Sequence, residues 1–152
     1  NCLVKGNKHV DICIKKYGKN NVIVICAEIE NQIIELDPKD RKYFMTESGI
    51  RETGLDLLIK TGYKILKLIT FFTSTHKETR AWTISKQCKA IKAAGLIHSD
   101  FEKGFIKAET ISYDDFVFYK GYNEAKNSGK LRLEGKDYIV KDGEILYFRF
   151  ST

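Results

Sequence analysis

The most constraining stretch of the sequence is residues 93–109 (AAGLIHSDFEKGFIKAE), where the hydrophobic pattern changes from helical to strand-like. The apolar side chains spaced along one side of the predicted helix are Ala93, Ala94, Ile97 and Phe101. Gly104 then predicts the end of this helix, because glycine tolerates the positive φ common at helix C-termini. Residues 105–112 alternate with the period of two that is typical of a strand. The sequence therefore predicts a helix followed directly by a strand, on which later strands can pack.

Two predicted hairpins flank this unit. Residues 68–73 and 79–84 are strand-like runs separated by five residues, which predicts a hairpin. Residues 137–140 and 144–150 are joined by Lys-Asp-Gly, and Asp-Gly between apolar runs is a strong hairpin signal with Gly143 at positive φ. Hairpin, helix, strand and hairpin in this order are compatible with a β-grasp, a sheet wrapped over one helix.

The first 66 residues have a different pattern, dominated by amphipathic helices. The predicted helices are residues 8–19, residues 28–36, a segment starting at Pro38, and residues 54–66. Residues 22–26 (VIVIC) are wholly apolar and predict a strand covered on both faces, as in a parallel α/β sheet. This combination is typical of the edge of an α/β nucleotide-binding domain. No Pro/Ser-rich linker precedes Lys67, so we expect a tight boundary there.

Composition narrows the class of protein. Hydrophobic residues make up 43% and charged residues 30% of the 152-residue chain, as in soluble globular proteins, and no apolar run approaches the length of a bilayer span. Cys2, Cys13, Cys26 and Cys88 are isolated, which favours reduced thiols over a disulfide framework or zinc site and indicates a cytoplasmic protein. The net charge of +6 permits a phosphate-rich partner without requiring one.

Catalytic motifs are absent from the sequence. Nothing matches GxxxxGK[ST], the loop whose amides and lysine hold nucleotide phosphates, so we expect no nucleotide hydrolysis by that mechanism. His98, Asp100 and Glu102 cannot converge on one helix face, because residues two apart do not share a face. We interpret them as a solvated helix end, and predict no catalytic residue and no metal site.

Basic residues near aromatic ones suggest an RNA-binding surface. The candidates for RNA or ribosome contact are Arg80, Lys103, Lys107, Arg132 and Lys136, with Phe71 and Trp82 nearby in sequence. The alternative is an ordinary basic surface, with Trp82 in the core of the sheet. No motif specific to DNA is present.

Long blocks of the sequence resemble a known family. These blocks are residues 93–116 (AAGLIHSDFEKGFIKAETISYDDF), residues 119–150, residues 79–84 (TRAWTI) and residues 71–73 (FFT). Together, over residues 67–151, they are similar to the C-terminal TGS domain of the YchF, or Obg-like ATPase, family. The resemblance implies an α+β chain. Residues 67–152 would form a ubiquitin-like β-grasp, and residues 1–66 the C-terminal remnant of a Ras-like, OBG-type P-loop G domain.

The resemblance also implies a function. The longer parent would bind and hydrolyse ATP, or GTP, with Mg²⁺, through motifs upstream of this chain, and would associate with the ribosome. By position in the family, Asn1, Cys26 and Ala27 would lie at the nucleotide-base edge, although Val4 stands where the family has a glutamate. The present chain would be the module that docks on ribosomal RNA. The alternative is a protein–protein adaptor without nucleic-acid contact, and the salt dependence of binding distinguishes the two.

Overall fold

The structure is a computed structural model that describes residues 6–151. The chain divides into two compact units, Asn1–Lys64 and Ile65–Thr152. Within the described residues, no helix is long and apolar enough to cross a membrane.

The first unit is helical in its described part. Its elements are α1 (Lys8–Tyr17), a 3₁₀ turn (Lys19–Asn21), α2 (Ala27–Glu35), α3 (Pro38–Glu47) and α4 (Gly54–Ile65). The predicted helices are therefore confirmed, with boundaries shifted by a residue or two. Asn7 caps α1, because its Oδ1 accepts hydrogen bonds of 2.9 Å from the amides of His9 and Val10.

The predicted strand at residues 22–26 is wrong. The segment has extended backbone at Val22 and Cys26, but it belongs to no β-ladder in the described part of the chain. A strand depends on backbone hydrogen bonds to a neighbour, and the first unit supplies no strand to pair with this one between residues 6 and 64. Its apolar side chains are accordingly only half-buried, and Ile25 is exposed.

The second unit contains one sheet. Its strands are β1 (Leu68–Ser74), β2 (Thr79–Ser85), β3 (Phe105–Ile111), β4 (Arg132–Glu134) and β5 (Ile145–Phe150). They lie in the order β2-β1-β5-β3-β4, with β1 and β5 parallel and the other neighbours antiparallel. The first predicted hairpin and the predicted strand after Gly104 are confirmed.

The predicted continuous helix from Ala93 to Phe101 is interrupted. The helices of this unit are α5 (Ala90–Ile97), α6 (Ser99–Lys103), α7 (Tyr113–Phe118) and α8 (Tyr122–Asn127). His98 separates α5 from α6 because its backbone is extended, and its Nδ1 accepts a 3.2 Å hydrogen bond from the Asp100 amide. Gly104 does not adopt the predicted positive φ; its φ is −93°. A side chain is excluded there for another reason, since a Cβ would lie 2.0 Å from the Ser151 carbonyl oxygen.

The core lies between α5 and one side of the sheet. Ala90 and Ala93 are fully buried, and such small side chains let the helix approach the strands closely. The other buried core residues are Ile69, Phe71, Ile84, Ala108, Val140 and Leu146. We call this side of the sheet the helix side. The opposite side, on which Ile111 and Ile145 are buried and the remainder is more exposed, we call the open face.

The predicted closing hairpin is wrong. Residues 137–140 form only an isolated bridge between Ile139 and Lys89, and β5 pairs with β3 and β1 instead. The Lys-Asp-Gly turn connects to β1. Asp142 Oδ1 accepts a 2.8 Å hydrogen bond from the Thr70 amide, and the Gly143 amide donates a 2.8 Å bond to the Thr70 carbonyl. Gly143 does have the expected positive φ, +78°. The turn therefore positions β5 against β1.

Candidate nucleic-acid interface

Alternation along the strands places charged residues on the open face. Ala108 belongs to the helix-side core, so its neighbours Lys107 and Glu109 on β3 face the other way. The register pairs Lys107 with Arg149 and Glu109 with Tyr147 on β5. Directly opposed residues of an antiparallel pair are close enough for their side chains to interact. Two adjacent strands thus bring two cations and one carboxylate together.

Glu109 is the centre of this group. It is buried, and its Oε2 accepts hydrogen bonds from the Tyr122 hydroxyl at 2.8 Å and from Arg149 Nη2 at 2.9 Å. Tyr122 comes from α8, so the helical segment between β3 and β4 is fixed onto the sheet at this point. We call the group of side chains around Glu109 the open-face cluster. Its members are Lys107, Glu109, Tyr122, Lys126, Tyr147 and Arg149.

The cluster keeps Glu109 ionised. Burial alone would raise the pKa of the Glu109 carboxyl, but the hydrogen bonds from Arg149 and Tyr122 and the charges of Arg149 and Lys107 hold that pKa below its ordinary value. Burial, followed by the bond to Glu109, raises the pKa of Tyr122, which therefore stays a neutral donor. The three cations of the cluster exceed its single carboxylate by two charges.

Aromatic rings and a lysine complete the open-face cluster. The rings of Tyr122 and Tyr147 meet edge to face with centroids 4.6 Å apart, and Lys126 Nζ lies 5.8 Å from the centre of the Tyr122 ring. Positive charge that attracts phosphates, beside rings on which bases stack, is the combination used by proteins that bind single-stranded nucleic acid. The geometry is therefore compatible with an RNA contact.

Arg132, an RNA-contact candidate from the sequence, is instead engaged within the fold. Its Nη2 lies 2.5 Å from Oε1 of the buried Glu144, and its Nε lies 3.2 Å from Glu134 Oε1. The Tyr138 hydroxyl donates a 2.6 Å bond to the same Glu144 oxygen. Burial, then the hydrogen bond to Glu144, raises the pKa of Tyr138 to about 12. This network ties β4 to the segment before β5, on the helix side.

The other candidates are distributed over the unit. Arg80 lies on the helix side of β2, with its guanidinium 5.2 Å from the centre of the Trp82 ring. Lys103 ends α6 beside an open cavity of about 550 Å³ that is also lined by Phe101 and Phe150. Lys136 is exposed in the turn after β4. Of the five predicted residues, the structure places Lys107 in the open-face cluster and the other four elsewhere.

The predicted nucleotide-base edge lies in the first unit. Cys26 is the N-cap residue of α2, with its carbonyl accepting a 3.0 Å hydrogen bond from the Glu30 amide, and the exposed Ala27 is the first residue of the helix. Asn1 lies outside the described residues. A cavity of about 320 Å³ nearby is lined by residues that include Val24 and Glu30. A base-binding role for Cys26 and Ala27 stays a prediction.

The residues described do not supply the phosphate-binding and Mg²⁺-binding parts of a nucleotide site. The sequence has no phosphate-binding loop, and among residues 6–151 no group of three or more His, Cys, Asp and Glu side chains is placed to hold a metal ion.

Comparison with known proteins identifies the family. The family model YchF-GTPase_C, described as "Protein of unknown function (DUF933)", matches residues 68–151. The chain belongs to the YchF family. It is 50% identical over 150 residues to the ribosome-binding ATPase YchF of Bacillus subtilis (strain 168), covering 97% of the chain and 41% of that relative. It is 55% identical over 131 residues to the protein of the same name in Escherichia coli O157:H7, covering 86% and 36%.

A solved structure supports the same assignment. The YchF GTPase of Schizosaccharomyces pombe superposes with a TM-score of 0.83 at 31% sequence identity, over 97% of this chain and 40% of that protein. The mixed α/β fold with its five-stranded sheet is thus that of a YchF protein. The chain spans about two fifths of the length of the YchF relatives it matches.

Several cluster residues of this YchF-family chain were missed from the sequence. Tyr147 and Arg149 alternate with the apolar Leu146 and Phe148, a pattern that assigns the first two to a shared, polar face of the strand. The missing information was the partner of that strand. With β5 assigned to a closing hairpin, nothing indicated that Arg149 lies opposite Lys107 on β3.

Proposed function

We propose that this chain is the C-terminal part of a ribosome-associated P-loop ATPase, and that its second unit docks the protein on ribosomal RNA. The bacterial relatives at 50% and 55% identity are named ribosome-binding ATPases, which supports the ribosome as partner. The longer protein would bind ATP or GTP with Mg²⁺ through segments outside this chain. It would hydrolyse the nucleotide there and act in the cytoplasm.

Within this proposal, residues 67–152 form a TGS domain with a β-grasp fold, and residues 1–66 are the C-terminal part of an OBG-type G domain. The parallel central strands β1 and β5, with α5 packed across one side of the sheet, support the β-grasp assignment. The division into compact units next to residue 65 supports the proposed boundary.

The open-face cluster is the observation that carries the RNA-docking role. Lys107, Lys126 and Arg149 belong to a cluster whose single carboxylate, Glu109, is bonded to Arg149, so the cluster carries an excess of two positive charges. Arg149 and Lys126 are exposed, and the Tyr122 and Tyr147 rings meet edge to face within the same cluster. Phosphate contacts made by such cations release counterions, so binding weakens steeply with salt.

The test removes these charges while keeping the side chains long. A triple variant should bind ribosomes with lower affinity in a co-sedimentation assay. It carries Lys107→Gln, Lys126→Gln and Arg149→Gln. The log–log salt slope should flatten by about two units, since each lost phosphate contact contributes about 0.7 to 0.9. A matched control carries Lys15→Gln, Lys39→Gln and Lys42→Gln, three exposed lysines of the first unit, and should leave the slope unchanged.

A second variant distinguishes a loss of ribosome binding caused by unfolding from one caused by the loss of phosphate contacts. Arg149→Gln removes a hydrogen bond to Glu109, whereas Lys107→Gln with Lys126→Gln leaves the bonds from Tyr122 and Arg149 to that carboxylate in place. The double variant should still flatten the slope by about one unit or more. If the triple and double variants bind ribosomes with unchanged affinity and slope, the RNA-docking proposal is refuted and the adaptor alternative gains support.

A further inference from the structure

Strand β2 is an open edge of the sheet. It pairs with β1 along its full length, Thr79–Ser85, without a bulge, and it contains no proline. In the described part of the chain no strand pairs with its other side. The opposite edge, β4, has only three residues. A long, bulge-free edge is a template for a further strand.

The register shows which backbone groups face outward. The Thr75 amide bonds the Glu78 carbonyl at 2.8 Å, and the Lys86 amide bonds the Lys67 carbonyl at 2.7 Å. Hydrogen-bonded pairs recur at every second residue of an antiparallel ladder, so Arg80 and Trp82 bond to β1. Thr79 and Ala81 therefore direct their N–H and C=O groups away from β1. Among residues 6–151, no backbone group bonds to these outward N–H and C=O groups of Thr79 and Ala81.

Charge indicates the kind of chain that fits this edge. Between residues 77 and 86, Lys77, Arg80 and Lys86 are opposed by Glu78 alone, which leaves an excess of two positive charges. The Glu78–Arg80 contact is long, 3.8 Å, and both side chains are more than half exposed, so it neutralises little. A second copy of this chain would bring the same cations together. An acidic strand would meet opposite charge.

We propose that the β2 edge binds an extended, acidic peptide segment of a protein partner by β-strand addition. The outward N–H and C=O groups of Thr79 and Ala81 supply up to four backbone hydrogen bonds, while the small, exposed side chains of these two residues leave the approach open. Arg80 and the flanking lysines provide the preference for acidic sequences. The site uses the backbone of β2 and needs none of the open-face cluster residues.

The experiment uses the full chain and a defined probe. An acetylated peptide of about eight residues alternating aspartate and valine is titrated in while amide hydrogen exchange and chemical shifts are followed by NMR. The Thr79 and Ala81 amides should become protected from exchange, and the lysine–valine counterpart should bind at least about tenfold more weakly. Ala81→Pro deletes one outward donor without removing a bond to β1, and should weaken the aspartate peptide about tenfold. Ala81→Val keeps the donor and should bind like the unmodified chain.

Each result decides the proposal. Equal binding by Ala81→Pro and Ala81→Val, with the fold of both confirmed by their spectra, would overturn strand addition at this edge. No protection of Thr79 and Ala81 at saturating peptide would do the same. Preference for the lysine peptide, or protection that rises with protein concentration alone, would replace the acidic partner with a basic one or with a second copy. The peptide experiment does not depend on the result of the ribosome-binding experiment. The strand-addition proposal and the RNA-docking proposal can therefore be refuted independently.

Discussion

Replacing Arg132 with alanine should destabilise the second unit much more than replacing Arg80. Arg132 contacts Glu144, whose side chain is only 4% exposed, and also bonds Glu134. Without the guanidinium, Glu144 keeps the Tyr138 hydroxyl and the Lys141 amide as donors, at 2.6 and 2.9 Å. The carboxylate therefore loses its opposite charge but not all of its hydrogen bonds.

The size of the effect follows from these contacts. Removing one partner of a fully buried ion pair costs about 3–5 kcal/mol, and losing a hydrogen bond to a charged group about 1.5–3 kcal/mol. The Arg132 side chain is 42% exposed, so solvent screens the pair and the lower range applies. We expect Arg132→Ala to lower the free energy of unfolding by about 2 kcal/mol. For a unit of this size that corresponds to a fall in Tm of about 8–16 °C.

Thermal and urea unfolding, followed by near-UV circular dichroism, measure the difference. Trp82 and the tyrosines of the second unit supply the signal. Arg80→Ala is the matched control, because it removes an exposed guanidinium whose ring contact with Trp82 contributes about 0.5–1 kcal/mol. Equal losses of stability in the two variants would show that the Arg132–Glu144 network does not stabilise the unit. Arg132 would then be a candidate for partner contact like the other surface cations.

Two further predictions concern single positions. Gly104→Ala should lower the free energy of unfolding, measured in urea, by about 1–3 kcal/mol, because its Cβ would overlap the Ser151 carbonyl. Gly62→Ala in α4 adds a methyl group with nothing within 4 Å, and should raise that free energy by about 0.5–1 kcal/mol. Equal effects of the two substitutions would contradict the packing described for Gly104. Glu109 has a folded-state pKa below its ordinary 4.5, so its contribution is present above about pH 4.5 and is lost as the pH falls through the lowered value. Glu109→Gln should accordingly lose less stability than the unmodified chain as the pH falls below about 4.5, and parallel stability curves would show that Glu109 is not held ionised.

Local patterns in the sequence predicted the elements that depend on local interactions. The helices of the first unit and the β1–β2 hairpin follow from hydrophobic spacing and short loops, and the structure confirms them. The break at His98 and the φ of Gly104 are local failures, whereas the other two concern long-range pairing. Residues 22–26 have the composition of a strand but no partner in the described first unit, and β5 pairs with strands far away in sequence where an Asp-Gly turn indicated a hairpin. Composition shows that a segment is able to form a strand, and only the tertiary fold supplies its neighbour.

The candidate site shows the same division. Lys107 was identified from its place in an alternating strand, and the structure puts it on the open face. Arg132 was selected as a basic residue near a predicted hairpin, but its buried partner Glu144 is twelve residues away and lies in no recognisable motif. Arg149 and Tyr122 join Glu109 from elements 40 and 13 residues distant. Charge alone does not distinguish a cation that is paired within the fold from one that faces a partner.

The parallel pairing of β1 with β5 has a consequence for how the chain is made. Phe72 and Ile145 are partners in the finished sheet, yet 73 residues separate them in sequence. At a synthesis rate of about 5–20 residues per second, β1 waits roughly 4 to 15 seconds for its partner, whereas a hairpin such as β1–β2 closes in microseconds. During that interval the nascent β1–β2 hairpin has unpaired backbone on both outer sides. We expect it to be a binding site for chaperones until the last residues of the unit have been added.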